Sequence, residues 1–168
     1  MNVYIRAELW DKNKEGEKWG DIKGRVIFLE NEEFKEKSFP EDQFECDFKN
    51  EKTVVILLKD PASNIIGYTY TQPIGNAFPE RVSENEETAL IWDTVIEKKW
   101  RGRHLVGIMM DCLENELRKR GYKYIEREVR VENNYAANVT KHYKDQIVKK
   151  SKPHDSPWGS QIFFKIKL

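Results

Sequence analysis

The sequence predicts an α/β domain with a largely mixed β-sheet, and three observations support this prediction. Apolar runs typical of strands recur along the chain, the clearest of them from Thr53 to Lys59. A strongly periodic helical segment begins near Leu105, between two such runs. The 168 residues contain no internal repeat, low-complexity block or Pro/Gly/Ser-rich linker, so we expect one domain over residues 1–168.

Composition excludes several classes of protein. The 29 basic and 29 acidic side chains balance, which argues against nucleic acid as a partner. The aromatic content of 12% argues against disorder, because these rings supply ample surface to bury. The aliphatic run Val54 to Leu58 is far shorter than the about 20 residues of a membrane span, so we expect no membrane partner. Two cysteines, Cys46 and Cys112, are too few for a disulfide scaffold. The first residues of the sequence also lack the pattern of a signal peptide. Both observations predict a cytoplasmic protein.

The first fifty residues contain one strand pattern and two helix patterns. Apolar residues alternate with polar ones at Val3, Ile5, Ala7 and Leu9, as in a half-buried strand. Irregular helical spacing follows from about Ile22 to Phe34. The run Ser38 to Glu41 has the pattern of a capping box, and Phe44 and Phe48 at i,i+4 then predict a short second helix.

The next segments predict a hairpin followed by a buried strand. Thr53 to Lys59 is β-branched and aliphatic, Asp60 to Asn64 supplies turn residues, and Ile65 to Thr71 is the partner strand. A loop rich in Pro and Glu is expected from Pro73 to Glu87. Thr88 to Glu97 then has the apolar character of a buried strand.

The strongest periodicity lies in the second half of the chain. One helical stripe begins at Leu105, and basic residues before Gly121 oppose the negative end of the helix dipole. A strand over Tyr122 to Val131 and a helix over Asn133 to Lys144 are expected next. Ile147–Val148 and Gln161 to Leu168 are the closing strands. The stripe consists of Leu105, Ile108, Met109, Cys112, Leu113 and Leu117.

The junction between the strand ending near Glu97 and the helix beginning near His104 is the most informative segment. A helix that starts directly after a strand presents unpaired N–H groups and the positive end of its dipole. Arg101 and Arg103 add positive charge beside them. The segment therefore suits a pyrophosphate, and a solvated charged turn is the alternative.

The stretch Ile91 to Met110, IWDTVIEKKWRGRHLVGIMM, resembles the central motif of the GNAT superfamily of acyl-CoA-dependent N-acyltransferases. In that family an aromatic-Arg-Gly element follows the fourth strand and opens the long third helix, and Trp100-Arg101-Gly102 matches it. The resemblance implies a mixed, mostly antiparallel central sheet flanked by helices on both faces. His104 and Val106 stand where the family pattern has Gly and then Gly or Ala. We expect little cost if these residues are ordinary right-handed helix.

The resemblance also implies a function. Acetyl-CoA would be the donor, with no metal, and the acetyl group would pass to a primary amine by direct attack in a ternary complex. The acceptor would be a small-molecule or peptide amine, and the enzyme a monomer or a homodimer. A catalytically silent domain that binds CoA or a protein partner is the alternative. The implied donor-binding residues are Thr94, Val95 and Ile96 on the strand, then Arg101, Gly102, Arg103, His104, Leu105 and Val106 at the turn and helix start.

Two residues are the catalytic candidates. The family commonly uses a Tyr before the sixth strand as general acid to the departing thiolate, which implies Tyr143, with Tyr135 as the fallback and a packed aromatic as the structural alternative. Asp93 lies within an otherwise apolar strand, where burial would raise the pKa of its carboxyl and suit it to accept a proton. A structurally paired carboxylate is its alternative. His142 and His154 lack ligand-spaced partners, so we expect no metal site.

Overall fold

The computed structural model describes residues 4–84 and 86–168. The helices are α1 (Trp19–Phe34), α2 (Glu41–Lys49), α3 (Ile74–Ala77), α4 (Leu105–Lys119) and α5 (Tyr135–His142). The strands are β1 (Arg6–Leu9), β2 (Val54–Lys59), β3 (Ile65–Pro73), β4 (Thr88–Ile96), β5 (Tyr124–Arg130), β6 (Ile147–Lys150), β7 (His154–Ser156) and β8 (Gly159–Lys167). None of the helices in these described residues is both long and apolar enough to cross a membrane.

One compact unit comprises the chain up to Gln72 together with Trp92–Glu116. Its sheet has the strand order β1-β2-β3-β4, and β1, β2 and β3 pair antiparallel. Every residue of β2 is buried, so apolar side chains cover both faces of this strand. This accounts for its continuous, non-alternating apolar sequence, since a strand with one solvated face would alternate.

The core of this unit is largely aromatic. Phe44 and Phe48 occupy one face of α2 because residues four apart lie on the same side of a helix. Their rings contact those of Tyr68 and Tyr70 on β3 at centroid separations of 5.4 to 6.4 Å. Tilted and edge-to-face contacts of this kind add to the stabilisation that burial provides. They fix α2 against the sheet.

The other compact unit comprises Pro73–Ile91 and Leu117–Leu168. Here β4 pairs parallel with β5 from Thr88 to Leu90, β5 pairs antiparallel with β8 over its whole length, and β6 and β7 also pair antiparallel with β8. Arg81 crosses from the 79–84 segment to buried Glu126 of β5, with N–O distances of 2.8 and 2.9 Å. This bidentate pair attaches the segment to the sheet.

The fold class is confirmed: the protein is a mixed α/β structure with a mostly antiparallel sheet. The predicted hairpin, the 88–96 strand and the long helix are also found, while Val3 lies outside the described residues. The predicted 73–87 loop was wrong in part, because it contains α3 and a 3-10 segment over Pro79–Glu84. The strand β7 was not predicted, since three residues in a Pro-containing segment carry too little pattern.

The capping box at Ser38 to Glu41 was also wrong. The N-cap of α2 is Pro40, and no side chain caps the helix. The hydroxyl of Ser38 instead donates to the backbone oxygen of Glu30 at 3.3 Å. Ser38 therefore ties the segment after α1 back to that helix.

Candidate active site

A sharp turn joins the end of β4 to the start of α4. The amide of Glu97 still donates to Ile66 of β3 at 2.9 Å, and a short 3-10 turn over Lys98–Trp100 follows. The backbone then takes left-handed φ values at Gly102 (+76°) and His104 (+57°) before α4 begins at Leu105. Two of the three residues directly before α4 therefore have left-handed backbones.

The backbone of His104 does not meet the condition under which we expected little cost. That expectation applied to a right-handed helical residue, but φ of His104 is +57°, in the region that glycine adopts without strain. His104 therefore has the backbone conformation typical of glycine, at the position where the family pattern has glycine. Histidine tolerates this region better than most residues, although at some cost.

The start of α4 is suited to an anion. Its first turn contains no acidic side chain, and the amide of Gly107 makes an early helical bond to His104 at 3.2 Å. The preceding amides of a helix have no acceptor within the helix, and the dipole adds partial positive charge there. Val106 is 44% exposed, so its isopropyl group lies on the surface of the helix.

The two arginines of the turn have different environments. The Arg101 guanidinium donates to the backbone oxygen of Ile96 at 2.7 Å and pairs with Glu33 of α1. The amide of Arg101 also donates to the oxygen of Lys98. Arg103 is exposed and lies 5.0 Å over the ring of Trp100. Arg101 therefore connects the turn to α1, and Arg103 is the accessible charge.

The last residues of β4 are held firmly by β3. Thr94 and Thr69 share a hydroxyl hydrogen bond of 3.0 Å, and Val95 and Ile96 are buried. Gly67 of β3 lies so close that a Cβ there would be 2.7 Å from the oxygen of Val95. Only glycine permits this approach, so the path of β4 depends on it.

A small cleft that the sequence did not predict lies between α1 and this turn. It has a volume of about 200 Å³. Glu97, one of the residues that line the cleft, pairs with Arg25 of α1 at 2.6 Å. The lining residues are Phe28, Leu29, Glu32, Ile96, Glu97, Lys98, Lys99 and Arg101.

Asp93 is buried, as expected, and it has an acidic neighbour. Its side chain is 6% exposed and that of Glu30 on α1 is 1% exposed. Burial, and then the charge of Glu30, raises the pKa of Asp93 well above its ordinary value. The alternative of a pairing with Arg or Lys is not seen, since within the described ranges neither carboxyl forms an ion pair. Glu30 was missed, although it falls four residues after buried Val26 on the inner stripe of α1.

Tyr143 and Tyr135 belong to the second unit. Tyr143 follows the end of α5, is 3% exposed, and packs edge-to-face on His142 at 4.5 Å. Tyr135 begins α5, is half-buried, and lies under the guanidinium of Arg130 at 5.8 Å. Among residues 4–84 and 86–168, no group of three His, Cys, Asp or Glu side chains is arranged to hold a metal ion.

Solved structures provide the comparison for the fold. The ribosomal-protein-S18-alanine N-acetyltransferase of Escherichia coli aligns with a TM-score of 0.65 at 14% identity, over 98% of this chain and 93% of its own. A GNAT family acetyltransferase from Elizabethkingia anophelis with acetyl-CoA bound gives 0.60 at 12%, over 98% of both chains. An aminoglycoside 6'-acetyltransferase type Ii gives 0.69 at 14%, over 96% of both. At such low identity these matches show a shared fold.

Sequence comparisons give the family. A search of curated protein sequences found no significant match. The family model described as the Acetyltransferase (GNAT) family matches residues 20–143. That range runs from α1 to Tyr143 and includes the turn between β4 and α4. Since it covers well over half of the 168 residues, the chain belongs to the GNAT family of acetyltransferases.

Proposed function

We propose that this acetyltransferase moves an acetyl group from acetyl-CoA to a primary amine by direct attack within a ternary complex. The observation that carries the proposal is the turn before α4, where His104 keeps a left-handed backbone despite its side chain. Strained non-glycine residues persist where the surrounding structure requires a special path, often at ligand sites. This path presents the first amides of α4 to an anion such as the donor's pyrophosphate.

The residues at the turn fit the donor in charge and shape. The amides of Gly102, His104, Leu105 and Val106 would hold the pyrophosphate, with Arg103 supplying an accessible positive charge. A Cβ at Gly102 would meet nothing within 4 Å, so there is open space directly beside this residue. The backbone of Thr94 to Ile96 would bind the pantetheine amides in the manner of an added strand.

The chemistry needs a proton acceptor for the ammonium and a donor for the thiolate. Asp93 is proposed as the acceptor because its buried position raises its affinity for a proton. Tyr143 is proposed as the acid to the leaving thiolate, with Tyr135 as the alternative. Holding donor and acceptor together supplies most of the acceleration in a reaction of this type, and no covalent enzyme intermediate is required.

Calorimetric titration with acetyl-CoA tests the donor site. We expect saturable binding by the wild-type protein, weakened about tenfold or more in Arg103→Glu because a negative charge then faces the pyrophosphate. Arg118→Glu, at the opposite end of α4, is the matched control and should bind like the wild type. Absence of binding by the wild-type protein, or equal binding by Arg103→Glu, would contradict the proposed donor site.

A further inference from the structure

Two ion pairs connect α1 to the turn before α4, and their charges are reversed. Arg25 of α1 pairs with Glu97 of the turn at 2.6 Å. Further along the same helix, Glu33 pairs with Arg101 of the turn. The spacing of Arg25 and Glu33 places them about 12 Å apart along the helix axis. Helix α1 therefore contributes one cation and one anion, at two separate points, and the turn contributes the opposite charge at each.

Each arginine also donates to the backbone of a strand end. Nε of Arg25 donates to the oxygen of Ile65, the first residue of β3, at 2.7 Å. Nε of Arg101 donates to the oxygen of Ile96, the last residue of β4, also at 2.7 Å. A guanidinium is planar and rigid, so it holds a carboxylate and a carbonyl in a fixed relative geometry. The two arginines thus join the helix, the turn and the sheet.

Both pairs are partly shielded from solvent. The side chains of Glu33 and Glu97 are 10% and 19% exposed, and those of Arg101 and Arg25 are 33% and 31% exposed. Fully exposed pairs contribute little, because water and salt screen them. Removing one member of a shielded pair costs more, since the other charge then lacks a partner where water reaches it poorly.

Arg101 is poorly placed to bind a phosphate through its side chain. Two of its three guanidinium nitrogens are engaged, Nε by Ile96 and Nη2 by Glu33. The carboxylate of Glu33 also offsets its charge. Arg103, in contrast, is exposed and forms no ion pair among the described residues. The positive charge available to a ligand at this turn is therefore that of Arg103.

The backbone after Arg101 is the part of the turn proposed to bind the donor. Gly102 and His104 have left-handed φ values, and the amide of Arg101 donates to the oxygen of Lys98 at 3.2 Å. A residue such as His104 keeps a strained backbone only where the surrounding structure requires it. The anchored Arg101 lies immediately before this stretch and defines where it begins.

We propose that Arg25 and Glu33 of α1 are positioning residues for the donor: through Glu97 and Arg101 they hold the turn in the shape that binds the pyrophosphate. Arg101 then acts by fixing its own backbone and does not touch the phosphates. This inference rests on the proposed function, because it takes the turn as the donor site. It adds two residues of α1, far from the turn in sequence, to those on which donor binding depends.

Calorimetry with acetyl-CoA tests the role of Glu33 by the sign of the change. Glu33→Gln removes a negative charge close to the turn, so charge alone would leave the binding of an anion unchanged or make it tighter. Positioning predicts the opposite, a loss of about fivefold or more, because the turn loses an anchor. Glu32→Gln is the matched control: Glu32 is exposed and has no ion pair among the described residues, so this variant should bind like the wild type. Equal or tighter binding by Glu33→Gln would overturn the proposal.

A double-mutant cycle tests whether Glu33 acts through Arg101. Arg101→Gln should weaken acetyl-CoA binding at least as much as Glu33→Gln, and the double variant should bind no more weakly than Arg101→Gln alone. Fully additive losses would contradict the proposal. Arg25→Gln and Glu97→Gln form a second cycle with the same expected pattern. The losses there should be smaller, about twofold or more, because Lys99 also pairs with Glu97 at 3.1 Å.

A shortened donor shows whether the effect is confined to the pyrophosphate. Acetyl-pantetheine keeps the thioester and the pantetheine arm but lacks the pyrophosphate. In Glu33→Gln, kcat/KM for acetyl-CoA should fall about fivefold or more, while kcat/KM for acetyl-pantetheine should stay at the wild-type value. Urea unfolding checks that the variant is folded. An equal fall for both donors would indicate a general structural role and overturn the proposal.

Failure of this inference and failure of the proposed function give different results. If the wild-type protein does not bind acetyl-CoA, the donor site is contradicted, and the roles of Arg25 and Glu33 fall with it. If the wild type binds acetyl-CoA but Glu33→Gln and Arg25→Gln bind it equally well, the donor site stands and only the positioning role is overturned.

Discussion

His104 shows how a single residue can preserve a backbone path after its usual amino acid has changed. Its φ of +57° lies in the left-handed region, and Gly102 two residues earlier has +76°. Among residues other than glycine, histidine is one of those enriched in this region. The turn before α4 therefore keeps its backbone path with histidine in place of glycine, and within this turn His104 is the one non-glycine residue with a left-handed backbone.

Replacing His104 with glycine should relieve that strain. We expect His104→Gly to raise the free energy of unfolding by about 0.5–1 kcal/mol, the gain being limited by the greater freedom of glycine in the unfolded chain. Val106→Gly is the control, since glycine inside a helix lowers stability. Urea denaturation measures both. A less stable His104→Gly protein would show that the imidazole makes a stabilising contact that outweighs the strain.

Tyr143 is the residue on which the assignment of the general acid depends. We expect Tyr143→Phe to lower kcat about 100-fold or more while leaving the KM for acetyl-CoA nearly unchanged, because the lost hydroxyl acts only when the thiolate departs. Steady-state kinetics of thiol release measures both constants, with Tyr135→Phe assayed in parallel. If Tyr143→Phe keeps the wild-type kcat, Tyr143 has only a packing role. If instead kcat falls only in Tyr135→Phe, Tyr135 is the general acid.

The strand β4 is both a buried part of the sheet and the element that contains the proposed proton acceptor. It is apolar enough to be recognised as a strand, yet it contains Asp93, a buried acid that local pattern alone would disfavour. Elements that break a local rule often do so at functional sites. The pairing of β4 with β3 at Gly67 is equally specific, because the oxygen of Val95 lies where a Cβ would be.

A methyl group at Gly67 should displace the end of β4. We expect Gly67→Ala to lower stability by about 1–3 kcal/mol, the usual cost of overpacking, and to weaken acetyl-CoA binding because the strand proposed to hold pantetheine moves. Gly24→Ala on α1 is the control: a Cβ there meets nothing within 4 Å, so stability should rise slightly. Thermal unfolding and calorimetry measure the two effects. Unchanged donor binding in Gly67→Ala would separate this strand from the donor site.

The elements also differ in how far the sequence predicts them. The hairpin of β2 and β3, the strand β4 and the helix α4 follow from local pattern, because continuous apolar runs and a 3.6-residue stripe have few other solutions. The short β7 and α3 could not be predicted, since their residues gain structure mainly from neighbouring segments. The start of α1 at Trp19, before the predicted Ile22, reflects burial of an aromatic residue beyond the periodic stripe.

For the site, sequence patterns gave the location of the turn but not its interactions. The motif at Trp100 to Gly102 predicted where α4 begins, yet the pairing of Arg101 with Glu33 joins residues 68 positions apart. The electrostatic interaction between Glu30 and Asp93 likewise joins residues that are far apart in the sequence. A single sequence carries no local signal for such pairs, although the position of Glu30 on a buried helical stripe marks it as unusual.

At the scale of the whole molecule, stability should fall in acid. Lys59 is buried and pairs with Glu8 of β1 and with Glu17, the latter at 2.6 Å. Burial raises the pKa of both carboxyls, but their lysine partners outweigh it and the net pKa lies below the ordinary value of 4.5. A carboxyl with a lowered folded pKa stabilises the protein above its unfolded value, and that stabilisation is lost as pH falls through the folded one.

The variant Lys59→Met tests this contribution. We expect it to be less stable than the wild type by about 1–3 kcal/mol near pH 7, and the difference should shrink as the pH falls below about 4.5, where the two carboxyls become protonated. Lys49→Met removes an exposed pair with Glu45 and should change stability little at any pH. Urea unfolding across this pH range measures both. A difference that does not depend on pH would assign the role of Lys59 to packing.

Thiol release from acetyl-CoA in the presence of primary amines tests the proposed reaction itself. The panel includes polyamines and Lys-containing peptides, and mass spectrometry measures acetylation of the acceptor. We predict that at least one amine accelerates thiol release by the wild-type enzyme and gains an acetyl group in equal amount. We predict also that Asp93→Asn and Tyr143→Phe lose most of this rate. Saturable acetyl-CoA binding without thiol release for any amine would contradict the proposed reaction and leave a silent CoA-binding domain.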